Sequence, residues 1–335
     1  MAKKDSKSSR GAGLTALVSA AAGLAAGWIA YSRLAVDHQM ELPPALGANR
    51  YEIESPRAGR LSYYVDVSGT GRPLVLLHAI NAAASAFEMR PFFERYRGQR
   101  PVYALDLPGF GFSERSKREY TPELYTDAII ALLREVVQEP ADVIALSLTG
   151  EFAARAALEA PDTINSLVLI SPTGLQAEDN RSSSPATHAL LSFPVWSQAF
   201  FDFLTLQPVI RYYLAKSFVG PVDDRLAGYA YRTAHQPGAR YAPLAFVSGK
   251  LHTAGIRESV YEKLTQSVQV LFDQDPYTSF EALPTLLAQY DNWHAERVVP
   301  TRGLPHFEQM DLTAVAVEPF WAALETEPAP PEAQT

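Results

Sequence analysis

Residues 143–150 read Val-Ile-Ala-Leu-Ser-Leu-Thr-Gly, and the helix-forming stretch Glu151–Glu159 (EFAARAALE) follows at once. A short apolar run that ends in a serine and passes directly into a helix describes a strand, a sharp turn and a helix. On such a turn the Ser147 hydroxyl is lifted clear of the sheet, and the helix N-terminus turns backbone N–H groups toward negative charge. The turn demands small residues two positions away on each side. Here they are Ala145 and Thr149. A serine between a strand and a helix is ordinarily only an N-cap, so the rest of the chain has to decide between cap and nucleophile.

Outward from this stretch, apolar runs and helical patterns alternate. Leu74–Leu77, Pro101–Leu105, Asp142–Leu146, Ser166–Ile170, Val268–Phe272 and Arg297–Thr301 read as strands, the first ones apolar enough to be buried on both faces. Two earlier strands, Tyr51–Glu54 and Arg60–Val67, precede the turn Gly69-Thr-Gly71. Thr121–Gln138 carries Leu124, Ala128, Ile129, Leu132, Leu133, Val136 and Val137 at helical spacing, with Thr121 as N-cap and Pro122 at the first helical position. Strand–helix alternation of this kind specifies an α/β fold with a mostly parallel central sheet flanked by helices. From Gly174 to Leu264 the alternation stops. That stretch is helical and aromatic (Phe193, Trp196, Phe200, Phe201, Phe203, Tyr212, Tyr213, Phe218), as expected of a lid inserted into the sheet. Most of these aromatics are expected to form the insertion's own core.

Chemistry gathers at the strand ends. His78-Ala-Ile-Asn81 closes an early strand, so the backbone N–H of Ile80, with that of Leu148, is placed to bind a developing oxyanion. Asp275 follows a late strand, and His306 lies in Gly303-Leu-Pro-His-Phe-Glu308 after the last one. Together with Asp106-Leu-Pro-Gly-Phe-Gly-Phe-Ser113 and Leu167-Val-Leu-Ile-Ser-Pro172, these segments make the chain resemble the α/β-hydrolase superfamily, in its lidded serine-hydrolase form, over about residues 51–324. The resemblance implies a catalytic triad of Ser147, His306 and Asp275, an oxyanion hole from Ile80 and Leu148, no cofactor and no metal. It also implies cleavage of an ester or related acyl bond in a small apolar molecule. Hydrolysis of a carbon–carbon bond, or a non-catalytic binding role, are the alternatives. The sequence departs from the family pattern in three places. Ala79 follows the strand histidine where glycine is usual, Ala145 and Thr149 flank the serine, and Phe272 stands three positions before the acid. Asp273 is therefore a rival for the acid.

Composition narrows the classes further. In 335 residues there are 29 basic and 37 acidic side chains, a net charge of −8, and no cysteine. That excludes a thiol enzyme, a disulfide scaffold and a Cys-ligated metal site, while the acidic balance argues against nucleic acid as a partner. The seven histidines form no H-x-x-x-H pair, so no zinc site is expected. Gly109-Phe-Gly111 lacks the third glycine of a dinucleotide fingerprint.

The ends differ from the middle. Residues 1–10 form a basic leader, and 11–32 carry no charge over 22 residues, with Trp28 and Tyr31 near the far end. This pattern is expected to be a transmembrane signal anchor, with a cytoplasmic N-terminus and the catalytic domain on the far side of a membrane. A cleaved secretory signal, giving a secreted or periplasmic protein, and an Ala/Gly-rich leader are the alternatives. Residues 33–50 read as a linker and 325–335 as a disordered acidic tail.

Overall fold

The computed structural model describes residues 6–177 and 185–326, with side chains from residue 19 onward. Eight strands form one sheet: β1 (Asn49–Ser55), β2 (Gly59–Asp66), β3 (Leu74–Leu77), β4 (Val102–Asp106), β5 (Ala141–Leu146), β6 (Ile164–Ile170), β7 (Ser267–Gln274) and β8 (Trp293–Arg302). Their order is β1-β2-β4-β3-β5-β6-β7-β8. The pair β1–β2 and the pair β2–β4 are antiparallel, and all other pairs are parallel. Every residue of β3, β4 and β5 is buried, the condition under which a strand is written as an unbroken apolar run.

Alternate residues of these strands supply two cores. Val75, Leu77, Val143, Ala145, Leu167 and Leu169 face one way, and Leu74, Leu76, Ile144, Leu146, Val168 and Ile170 the other. On the first face lie helix α3 (Pro122–Ala131) and, after the Ser147 turn, α4 (Thr149–Glu159); the Tyr125 ring stacks on Phe152 with centroids 4.9 Å apart. Thr121 caps α3 by accepting the N–H of Leu124, and the helix widens into a π turn that ends at Gln138 with φ +60°. The second face is covered by α2 (Arg90–Tyr96) and the C-terminal helix Met310–Thr326, where Tyr96 meets Trp321 edge to face at 5.4 Å.

Between β6 and β7 the described chain is helical throughout: α5 (Pro185–Leu191), α6 (Ser197–Leu204), α7 (Gln207–Lys216), α8 (Asp224–Ala234), α9 (Tyr241–Val247) and α10 (Ile256–Ser259). This is the insertion expected from the sequence, but its aromatics behave differently from expectation. Only Phe201 and Phe218 of the eight are buried, while Phe193, Phe203, Tyr212 and Tyr213 are exposed.

The N-terminal run corrects a second expectation. It lies in α1 (Ser6–Leu34), and no helix of the described residues is long and apolar enough to cross a membrane. The expected signal anchor, with a cytoplasmic N-terminus and the domain across a bilayer, is overturned by this finding. The physical reason lies in alanine and glycine, which add little hydrophobic surface, and in the residues read as interface anchors. Trp28 Nε1 donates to the Ala199 carbonyl at 2.7 Å, the Ser32 hydroxyl donates to Asp202 at 2.5 Å, and Arg33 donates to the Val195 carbonyl at 2.9 Å. The end of α1 is therefore docked on α6. Residues 42–48, read as part of a linker, are likewise packed: Ala45 and Leu46 are buried, and the Ala45 N–H donates to the Tyr64 hydroxyl. Of the tail, residues 327–335 lie outside the described residues, as do residues 1–5 of the leader.

One buried carboxylate ties the loops at the carboxyl ends of β3 and β4. Asp106, the last residue of β4, accepts the N–H of Ala86 at 2.9 Å and that of Phe112 at 3.0 Å. The chain can close around it because Gly111 adopts φ +50°, and a Cβ there would lie 1.9 Å from the Asp106 carboxyl carbon. Gly111→Ala should therefore destabilise the protein by more than about 2 kcal/mol, read as a lower urea midpoint at unchanged slope.

Candidate active site

The sheet register brings the carboxyl ends of its strands to one edge. Leu77 pairs with Ala145, Leu146 with Ile170, and Ile170 with Leu271. His78, Ser147, Ser171 and the segment leading to Asp275 therefore leave the sheet side by side.

Ser147 has φ +55°, a left-handed conformation that is costly for a residue with a side chain. Three contacts hold it there. Its N–H donates to the Ile170 carbonyl at 2.8 Å, its own carbonyl accepts the Gly150 N–H at 3.0 Å, and the Thr149 hydroxyl donates to the His78 carbonyl at 2.7 Å. Thr149, one of the departures from the family pattern, thus pins the serine turn to the end of β3. Ala145 is completely buried beneath the turn. Ser147 itself is half-buried and opens the N-terminus of α4.

His78 is structural. Nδ1 donates to the Ala79 carbonyl at 2.7 Å, which leaves Nε2 to accept the Leu107 N–H at 3.0 Å. The second bond needs the neutral ring, and burial pushes its pKa down to about 4. Beyond it, the Ala79 N–H donates to Glu88 Oε2 at 2.9 Å, and the Asn81 amide donates to Glu88 Oε1 at 2.7 Å. Ile80, between these two bonds, is buried, as is Leu148, the residue after Ser147.

The two candidate acids are separated by their partners. Asp273 accepts from Arg297 Nε at 2.7 Å and from the Thr301 N–H at 3.0 Å, so both oxygens clasp β7 to β8. Asp275 lies beyond β7. Its Oδ1 accepts the N–H groups of Tyr277 and Thr278 at 2.7 and 3.2 Å, and burial raises its pKa against these bonds and one with Ser171. Its Oδ2 faces Gly303, where a Cβ would come within 2.8 Å of it. Asp275 therefore faces the loop that leads to His306, while Asp273 is bonded to β8.

His306 lies in the short helix Pro305–Glu308 and is almost fully buried. Its ring stacks on Phe92 at 5.0 Å, Nε2 meets the Glu88 carbonyl at 2.8 Å, and Nδ1 has no hydrogen-bond partner. Burial pushes its pKa down to about 4. No hydrogen bond among the described residues joins Ser147, Asp275 and His306 to one another. The structure brings Ser147 and Asp275 to the same sheet edge and seats His306 on Glu88. The sequence reading missed Glu88, which sits in Ala86–Met89 among residues that look like an ordinary amphipathic turn. Its signal was the pairing of a lone acid with the polar Asn81 across an otherwise apolar stretch.

Among the described residues no group of three metal-binding side chains occurs. A groove of about 910 Å³, lined by Leu46, Tyr51, Asp66, Phe87 and Arg90, opens where β2 meets the amino end of β4, away from the edge that carries Ser147.

A mostly parallel sheet with a serine on a left-handed strand–helix turn defines an α/β-hydrolase scaffold. Residues 74–316 match the model of the alpha/beta hydrolase family, and the chain belongs to that family. It is 27% identical over 173 residues to a 2-hydroxymuconate semialdehyde hydrolase of Pseudomonas, covering 51% of this chain and 57% of that protein. It is 34% identical over 110 residues to an esterase of Mycobacterium tuberculosis, covering 30% of this chain and 37% of that one. The chain thus matches about half or less of the length of these curated relatives. Among solved structures, a membrane phospholipase A superposes with a TM-score of 0.67 at 18% identity, over 94% of this chain and 98% of its own. A serine hydrolase involved in carbazole degradation gives 0.65 at 16%, over 82% and 100%. At these identities the structural likeness speaks for the fold.

Thr149→Val removes the hydroxyl that binds the His78 carbonyl and keeps the side chain's shape. It should cost about 1–3 kcal/mol, measured by chemical unfolding.

Proposed function

We propose that this chain is a serine hydrolase that cleaves an ester or related acyl bond of an apolar small molecule. The observation that carries this reading is the left-handed φ of Ser147 at the mouth of α4, a strained conformation that a mere N-cap does not need. Ser147 Oγ would attack the acyl carbon while His306 takes its proton, giving a tetrahedral intermediate. His306 would then return that proton to the leaving alcohol as the intermediate collapses to an acyl-enzyme. Water, deprotonated by His306, would attack the acyl carbon, and as this second tetrahedral intermediate collapses His306 would return the proton to Ser147 Oγ and the acid would leave. The N–H groups of Ile80 and Leu148 would hold the oxyanion, each such donor being worth about 2.7–4 kcal/mol in the transition state. Asp275 would orient the imidazole and stabilise its cation; its turn toward Gly303 supports it over Asp273, whose oxygens are taken. His306 has to leave the Glu88 carbonyl to perform these steps, and catalytic bonds of this kind commonly tighten only when substrate is bound. The helices between β6 and β7 would serve as the lid, and no cofactor takes part.

A second reading, hydrolysis of a carbon–carbon bond, has one specific support: a relative is named a 2-hydroxymuconate semialdehyde hydrolase, and the same serine would serve either reaction.

The test is hydrolysis of p-nitrophenyl esters of increasing chain length. Ser147→Ala should lower kcat by about 10⁴–10⁶-fold, and Asp275→Asn by about 10⁴-fold. Asp273→Asn should chiefly lower the unfolding midpoint. Full activity of Ser147→Ala would sink the proposal, and inactivity of every ester beside turnover of a vinylogous diketone would favour the second reading.

A further inference from the structure

Glu88 touches both halves of the proposed machinery. Its carboxylate takes the N–H of Ala79 and the amide of Asn81, the residues on either side of Ile80. Its backbone carbonyl takes His306 Nε2. Its side chain is buried, at 6% exposure, and no charged group is bonded to it. The titratable and charged groups around this turn are all engaged elsewhere. His78 at the end of β3 is bonded to Ala79 and Leu107, and Asp106 at the end of β4 accepts from Ala86 and Phe112. Tyr229 of α8 stacks on Phe87 and donates to the Pro43 carbonyl, while Arg90 of α2 pairs with Glu94.

Resting on the serine-hydrolase reading, we propose that Glu88 is a positioning residue that gates this site. Ionised, its carboxylate holds the loop that presents the Ile80 N–H, while its carbonyl holds His306 in a resting position until substrate draws the ring to Ser147. Protonated, it cannot keep that grip. Each oxygen accepts one N–H donor, and an added proton removes the charge that strengthens both bonds and makes the oxygen that carries it the weaker acceptor. The burial that surrounds the carboxylate raises its pKa to about 7, against the lowering effect of Asn81 and Ala79. In its resting seat the His306 ring has its pKa pushed down to about 4 by burial. A loss of reactivity on acidification that shifts with substitutions at Glu88 and Asn81 would then report Glu88.

The experiment is the rate at which a fluorophosphonate labels Ser147 in the full chain, followed from about pH 5 to about pH 9 in wild type, Glu88→Gln and Asn81→Ala. In wild type the rate should fall below about pH 7, approaching tenfold per unit. In Glu88→Gln labelling should be slower, and that fall should move down by at least about one unit or vanish. In Asn81→Ala, which removes a bond that favours the ionised form, it should move up. A merely structural Glu88 would lower stability and leave the pH profile in place. An unchanged profile in Glu88→Gln overturns the proposal; if that variant does not fold, an unchanged profile in Asn81→Ala does so. Failure of wild type to label at any pH would instead remove the serine-nucleophile reading, and this inference with it.

Discussion

The constraint on which the site depends is the left-handed backbone at Ser147. A non-glycine residue in that region costs of the order of 1–3 kcal/mol, and the cost persists only where the surroundings over-determine it. Here they do. β5 is buried at all its positions, its far end is fixed by Asp142, which accepts from Arg100, Asn165 and Ser166, and its near end is held by Ile170 and by Thr149 bonded to His78. The strand cannot slide and the helix cannot back away. The serine is therefore held at the carboxyl end of β5, half-buried.

Much of this was legible in the sequence because burial and periodicity write directly into residue choice. Leu74–Leu77 appears with the boundaries read from it, since a strand buried on both faces has no polar residue to blur its ends. The Thr121 cap and Pro122 mark the start of α3 equally well. Boundaries slipped where exposure relaxes the pattern: β8 runs from Trp293, four residues before the expected start, because an edge strand tolerates charged residues such as Glu296 and Arg297. Hydrogen-bond partners were not readable. Only coordinates separate Asp273, engaged by Arg297 and Thr301, from Asp275. Phe272, which departs from the family pattern, half-buries against Phe280 with ring centroids 5.2 Å apart.

The N-terminal helix shows the opposite failure. An uncharged run has two physical outlets, lipid or protein, and composition does not choose between them. The Trp28 indole N–H and the Ser32 hydroxyl both find acceptors on α6, so the end of the helix belongs to the surface of the inserted helices. The aromatics of that insertion misled in a related way. Their abundance suggested an internal core, but only two of the eight are buried, because short helices packed on a sheet edge have too little interior to hide them.

The central claim is that Ser147 forms a covalent acyl-enzyme. Its most direct measurement is rapid quenching of the protein with a p-nitrophenyl ester, followed by digestion and mass analysis. The account predicts the mass of the acyl group on the peptide that contains Ser147, appearing within the first turnover and absent from Ser147→Ala. Ester turnover that leaves this peptide unmodified, or acylation that survives in Ser147→Ala, would contradict it.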